Sequence, residues 1–298
     1  MYSDYDGAND QSLFDNGTTL GVKHSHEIMP GLEGFLKIEF DGIDADDKSK
    51  GRGRIKLDEG YLGVKGDSFG QLWVGSDDST YETAIDEISN YYEVASQNIG
   101  TGSGQFNGIY DTGEGDLIQY KTPSFGGLVF AGAVQINGDA EKGEKSYPYQ
   151  LAALYEMGGL ELAVAMDSND GDRKYSSNGF DGDGNADPSF NNENTYGVRA
   201  SYNLDSLRVT GQYQTRKDVG DTYGIFGAYS MGMNTFAASW ERGSPDQGED
   251  FDVFSAQALH NLSDNMYVYV EGYFGNGDDY TSTGDEQKDI AFGGTYYF

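Results

Sequence analysis

Apolar and polar positions alternate with a period of two along nearly the whole chain from about residue 17, and helical periodicity is almost absent. Over 160–167, Leu160, Leu162, Val164 and Met166 alternate with Glu161, Ala163, Ala165 and Asp167. Over 196–204, Tyr196, Val198, Ala200, Tyr202 and Leu204 oppose Gly197, Arg199, Ser201 and Asn203. Leu207, Val209, Gly211 and Tyr213 likewise oppose Arg208, Thr210, Gln212 and Gln214. The chain ends with Ile290, Phe292, Gly294, Tyr296 and Phe298 set against Ala291, Gly293, Thr295 and Tyr297. The pattern predicts fifteen strands, near 17–27, 33–41, 55–65, 70–76, 116–122, 127–137, 147–157, 160–168, 194–204, 207–216, 221–231, 235–243, 250–261, 266–276 and 288–298.

Alternation suits a soluble sandwich as well as a barrel in a membrane; the connections separate the two. Short turns at Met29-Pro30-Gly31, Asp67-Ser68-Phe69, Ser124-Phe125-Gly126, Gly158-Gly159, Asp205-Ser206, Gly232-Met233-Asn234 and Ser263-Asp264-Asn265 alternate with longer acidic loops. Those loops lie near 42–54, 77–115, 138–146, 169–193, 244–249 and 277–287, and only the connection near 217–220 is short where a long one is expected. Short turns on one rim and long loops on the other describe a bacterial transmembrane barrel. Aromatics gather at strand ends on the apolar parity: Tyr147, Tyr149, Tyr155, Tyr196, Tyr202, Tyr213, Tyr223, Tyr229, Trp240, Tyr296 and Phe298. Amphipathic rings belong at the two membrane–water boundaries. The fold class is therefore all-β, a transmembrane antiparallel β-barrel forming a single domain over 1–298.

A single-chain bacterial barrel has an even strand number. The opening Met1–Gly7 reads as the last residues of a strand entering a loop. The expectation is a sixteen-stranded complete barrel whose first strand is largely missing from this chain, because open edges in lipid are too costly. Met1-Tyr2-Ser3-Asp4 has neither the basic nor the apolar segment of a signal peptide, so a mature or truncated form is expected.

Composition adds three constraints. The chain has 298 residues, with 44 Gly, 23 Tyr and 5 Pro, and its mean hydropathy is −0.62. That is too polar for a large soluble core and too aromatic for a disordered chain. No apolar run approaches the length of a membrane helix, a limit that does not apply to strands. Cysteine is absent, which is compatible with an oxidising periplasm. Fifty acidic residues against 19 basic ones give a formal charge of −31. Such a field repels nucleic acid and attracts cations.

Several segments resemble the general diffusion porins of Gram-negative bacteria. They are Leu20-Gly21-Val22-Lys23; Gly60-Tyr61-Leu62-Gly63-Val64-Lys65-Gly66 followed by Phe69-Gly70-Gln71-Leu72-Trp73-Val74-Gly75; and Ile118–Gly127. The terminal Gly293-Gly294-Thr295-Tyr296-Tyr297-Phe298 resembles the aromatic-ended strand by which outer-membrane proteins are recognised for assembly. The resemblance runs from about residue 17 to 298. It implies an outer-membrane homotrimer of sixteen-stranded barrels, surrounded by bilayer and lipopolysaccharide and requiring no cofactor. It also implies that the third loop, here 77–115, folds inward and narrows the pore. The acids on that loop are Asp77, Asp78, Glu82, Asp86, Glu87, Glu93 and Asp111. In the family such acids face wall arginines across the opening.

This chain departs from that arrangement. Thr19 and Ser76 stand where the family often places arginine. The remaining bases of lumen parity include Lys23, Lys37, Lys121, Arg199, Arg208 and Arg216, with Arg52, Arg54 and Lys56 as further candidates. A carboxylate-rich passage with few opposing bases concentrates cations. The reading is a passive channel for small hydrophilic solutes that favours cations. Two alternatives stay open. In one, lumen-parity aromatics (Phe226, Tyr267, Tyr269, Tyr273, Tyr297, with Tyr91 and Tyr92 on the loop) form a stacking track in a sugar-specific porin. In the other, the chain is a soluble acidic β-protein binding Ca²⁺ or carbohydrate.

Asp181, Asp183, Asn185 and Asp187 space oxygen ligands at every second residue, as a Ca²⁺ loop does. The sixth position lacks Gly and the twelfth is Asn192, so an EF-hand is disfavoured while a looser external Ca²⁺ site remains open. His24 and His26 alternate on one strand face with no third ligand evident. No nucleophile elbow, phosphate-binding loop or Ser/His/Asp set is present, and no enzymatic activity is expected.

Overall fold

The computed structural model of the chain describes residues 1–43, 45–46, 55–99, 114–139, 144–169, 193–281 and 284–298. All fifteen expected strands form, within a few residues at most ends. Two short strands come first, β1 (Tyr2–Tyr5) and β2 (Ala8–Gln11). The wall begins with β3 (Leu20–Met29), β4 (Leu32–Asp41), β5 (Lys56–Gly66), β6 (Gly70–Ser76), β7 (Leu117–Lys121) and β8 (Leu128–Gln135). A small separate hairpin follows, β9 (Asn137–Asp139) with β10 (Glu144–Ser146). The wall resumes with β11 (Tyr149–Met157), β12 (Leu160–Asp167), β13 (Thr195–Leu204), β14 (Leu207–Arg216) and β15 (Gly220–Met231). It ends with β16 (Asn234–Pro245), β17 (Phe251–Ser263), β18 (Met266–Thr281) and β19 (Gly284–Tyr296).

Each wall strand pairs antiparallel with the next, and β8 pairs with β11 across the small hairpin. Beside β19 lies β1, with Tyr2 opposite Ile290 and Tyr5 opposite Gln287. It turns back at once into β2. Among the described residues no register joins β2 to β3, and the sheet is not closed there. The expected loop 277–287 is largely strand instead: β18 and β19 stay paired from Asn276–Glu286 out to Thr281–Gly284 across an irregularity. Glycines at 272, 275 and 277 did not end the ladder, because each is accommodated between paired neighbours rather than at a reversal. The true reversals need a left-handed residue, as at Gly232 (φ 61°) and Asp205 (φ 50°).

The faces are sorted opposite to those of a water-soluble protein. Leu162, Val164, Val198, Val209, Ile225 and Phe254 point outward and are exposed, while Ala163, Ser201, Thr210, Gln212, Gln214 and Gln257 point inward and are buried. This is the arrangement of a barrel whose outer face meets hydrocarbon. The girdle candidates fall on the outward face. On β13 Tyr196 and Tyr202, and on β15 Tyr223 and Tyr229, stand six residues apart, roughly 20 Å along a strand. Tyr213 and Tyr223 pack ring to ring across β14 and β15 at 5.1 Å, and the indole Nε1 of Trp240 donates to Asp252 at 2.8 Å. His24 and His26 stack on each other at 5.6 Å on the same outward parity as Val22.

Replacing Val198, which lies between Tyr196 and Tyr202 on the outward face, by lysine places a charge in the apolar band. The expected cost is roughly 2–4 kcal/mol of folding stability in lipid, read from denaturant-induced unfolding in phosphatidylcholine vesicles. A cost below about 0.5 kcal/mol, the range of ordinary surface substitutions, would show that this face does not meet lipid.

Candidate pore constriction

Residues 77–99 of the connection between β6 and β7 run along the inside of the wall. Its first part is a short helix, α1 (Thr80–Ile85), capped by Ser79, whose Oγ accepts from the Glu82 N–H at 3.0 Å. A single 3₁₀ turn, Ser89–Tyr91, follows. Tyr81, Ala84, Ile85 and Ile88 recur at helical spacing and are all buried. They lie over small residues at lumen parity, Ala152 of β11 and Ala163 and Ala165 of β12. Two glycines complete this seat. A Cβ on Gly197 would stand 2.5 Å from the Tyr81 hydroxyl, and one on Gly224 would stand 2.5 Å from Ile88 Cδ1. Farther along, Ile88, Tyr92 and Ala95 pack on Phe226, Ala228, Ala237 and Tyr273. In a lumen that is otherwise polar, these apolar patches mark where the loop rests.

Side-chain amides hold the first half. Gln119 accepts from Thr80, Gln150 from the Tyr81 N–H, and Gln214 from the Tyr81 hydroxyl, at 2.8–3.0 Å. Carboxylates hold the second half. Glu271 on β18 accepts the Glu93 and Val94 N–H groups at 2.8 and 3.0 Å. Asp289 on β19 accepts from Ser96 and Gln97, both at 2.8 Å, and Glu241 on β16 accepts from Asn98. Wall acids thus satisfy loop donors that would otherwise be buried unpaired. Sequence reasoning missed Glu241, Glu271, Asp289 and the glutamines as anchors; their signal was lumen parity on strands lying under the loop.

Between the two halves sits one ion-pair cluster. Glu87 accepts from Arg208 through both carboxylate oxygens, at 2.6 and 2.8 Å. It is also bonded by Arg199, Ser201 and Thr210. Arg208 reaches onward to Glu161 at 2.8 Å, and the Arg199 Nε donates to the Ala84 carbonyl at 2.8 Å. Burial opposes charge on Glu87, but its hydrogen bonds from Arg208 and Thr210 and both guanidinium charges outweigh it and hold the carboxyl at about 2. Arg199 and Arg208 therefore tether the loop from the wall beneath it and do not confront it across the opening.

The other expected site residues divide by place. Asp77 accepts from the Trp73 indole at 2.6 Å. Asp86 is buried, and the Tyr267 hydroxyl holds Glu93 at 2.8 and 2.9 Å. Asp78 is exposed and Glu82 half-buried. Burial and the adjacent Glu114 push Glu82 up to about 7. On the facing wall Lys37 pairs with Glu59 and, at 3.4 Å, with Glu39, while Lys65 pairs with Glu33 at 3.1 Å. Lys23 and Lys121 have lumen parity and no ion pair among the described residues. Thr19 precedes β3 and is exposed. Ser76 ends β6, pairs with Gly60 and follows Gly75, whose φ is 135°. Asp111 of the loop, Arg52 and Arg54, and the Ca²⁺ candidates Asp181, Asp183, Asn185 and Asp187 lie outside the described residues. The expected aromatic track is mostly consumed by the loop, because Phe226 and Tyr273 are buried beneath it and the loop's own Tyr92 is buried against them.

A family model described as Gram-negative porin matches residues 1–297. Two curated proteins, a "Monosaccharide porin" of Halomonas sp. and a "Major outer membrane protein" of Halomonas elongata, are each 32% identical, covering 96% of this chain and 84% of theirs. Among solved structures, the anion-selective porin of Comamonas acidovorans shares the fold at TM-score 0.69 and 17% identity, covering 100% of this chain and 96% of that one. Salmonella typhi OmpF, in complex with daunomycin, gives TM-score 0.68 at 17% identity, covering 99% and 94%.

Glu87→Gln leaves both guanidiniums short of their shared acceptor. The expected cost is on the order of 2 kcal/mol, below the roughly 3–5 kcal/mol of a fully buried pair because the cluster is partly hydrated. In wild type the folded value near 2 lies under the ordinary 4.5. The Glu87 contribution is therefore complete above about pH 4.5 and lost as pH falls through about 2. Unfolding midpoints of both proteins between these pH values check this: the gap should be widest near neutrality and close towards pH 2. A gap independent of pH would contradict the assignment.

Proposed function

Because the chain belongs to the Gram-negative porin family and resides in the outer membrane as a non-enzymatic channel, we propose that it passes ions and small hydrophilic solutes by passive diffusion and prefers cations. One observation carries the preference. Arg199, Arg208, Lys37 and Lys65 are each neutralised by carboxylates in place, whereas Asp78, Glu82 and Glu114 on the loop have no ion pair among the described residues. A narrow aqueous passage with surplus carboxylate lowers the energy of cations and raises that of anions. Selectivity then comes from the charge and width of the opening, with no chemical step. The same reading takes the assembly as a homotrimer held in bilayer and lipopolysaccharide.

A second reading rests on the relative named as a monosaccharide porin and on two lumen tyrosines at the edge of the loop, the half-buried Tyr267 and the exposed Tyr297. In this reading neutral sugars also pass, with weak binding on the way.

The zero-current potential across a planar bilayer under a KCl gradient tests the preference. A cation-selective sign is expected, strengthening as pH rises through about one unit either side of 7 while Glu82 gains its charge. Glu82→Gln should flatten that rise. A zero or anion-selective potential would leave the channel and reject the selectivity. Unheated protein in mild detergent is expected to run well above the 32.5 kDa of one subunit; a species at that mass alone would reject the trimer.

A further inference from the structure

The loop covers most lumen aromatics but leaves a tyrosine platform below it, towards the short-turn rim. Tyr267 on β18 and Tyr297, just past β19, have rings 6.0 Å apart and inclined by 45°. Both have lumen parity, since Tyr267 lies opposite Thr295 and Tyr297 follows two residues later. Tyr297 is 54% exposed. Three polar groups surround the rings. Asn261 of β17 lies directly opposite Tyr267 and is exposed. The Tyr267 hydroxyl donates to the Glu93 carboxylate at 2.8 and 2.9 Å, and the Asn16 amide donates to the Glu93 carbonyl at 2.5 Å. Tyr269 supports the platform from above, its ring lying against Gly293, where a Cβ would stand 2.2 Å from Cζ.

We propose that Tyr267 and Tyr297, with Glu93 and Asn261, form a weak binding subsite for a neutral pyranose monosaccharide on the periplasmic side of the constriction. A pyranose has a face of C–H groups that packs on an aromatic ring and a rim of hydroxyls that need acceptors and donors. The tyrosines supply the first and the carboxylate and amide supply the second. The Tyr267 hydroxyl holds Glu93 in place, so the acceptor is oriented before a sugar arrives. Lack of enclosure keeps binding weak, as a permeation site requires, since a solute must leave as readily as it enters. The loop end carrying Glu93 hangs on Glu271, which couples the subsite to the loop.

This inference rests on the reading of the chain as an open channel, and the test separates the two. Current through the full-length protein in a planar bilayer is recorded in KCl with rising glucose on the short-turn side, with mannitol as an acyclic control of similar size. Each variant is normalised to its own sugar-free conductance. Saturable block by glucose and none by mannitol is expected. Tyr297→Ala and Asn261→Ala should each raise the half-blocking concentration about tenfold, the loss expected for one stacking or polar contact. Tyr296→Ala, its ring pointing outward next to Tyr297, should leave the half-block where it was. No insertion or conductance would overturn the channel reading itself. A channel that glucose and mannitol slow equally, or one whose glucose block survives both variants, would overturn the subsite alone. If Tyr297→Ala does not assemble, Asn261→Ala and the glucose–mannitol comparison in wild type still decide.

Discussion

Every wall strand has water on one side and hydrocarbon on the other, and no backbone donor facing lipid can find a partner outside the sheet. The period-two alternation and the outward aromatic belts follow from that constraint, as does antiparallel pairing through fifteen consecutive strands. It also explains why the interior carries so many glutamines, serines and threonines: lumen positions escape the demand for apolarity, so they are free to hold something else. What they hold is the inward loop.

The loop is a second core inside a polar cavity. It brings its own apolar side, Tyr81, Ile85, Ile88 and Tyr92, and the wall meets it with alanines and glycines where side chains would collide. Packing alone would leave the loop's backbone N–H groups dry and unpaired. The glutamines, Glu271, Asp289 and the Glu87 cluster remove that penalty at intervals along its course. The anchors change character midway, from neutral amides to carboxylates, with the arginine pair at the junction.

Much of the architecture was legible in the sequence because each wall strand announces itself locally. Arg199, Arg208 and Lys37 stand at lumen parity and carry ion pairs there. Their work was not legible, since parity says which side a residue takes and nothing about what crosses the lumen to meet it. Arg199 and Arg208 looked like one half of a field across the opening; Glu87, more than a hundred residues earlier in the chain, turns them into fasteners. Phe226 and Tyr273 look like a stacking surface for the same reason, until Tyr91 and Tyr92 are seen to cover them. Residues 277–287 looked like a loop from their glycines and aspartates, but cross-strand pairing with a long neighbour outweighs weak local propensity.

The residues that fasten the loop and the acids that face the opening are different sets. Glu87, Glu271 and Asp289 are tied into the frame, and altering any of them disturbs the scaffold. Among the described residues, the Asp78 side chain fastens nothing, and Glu82 meets Asn90 and Glu114 of its own loop. On the proposed reading, in which these acids set the ionic preference, they can drift by single substitutions with little structural toll. A lineage built on this frame can move between ionic preferences quickly while its architecture stays still.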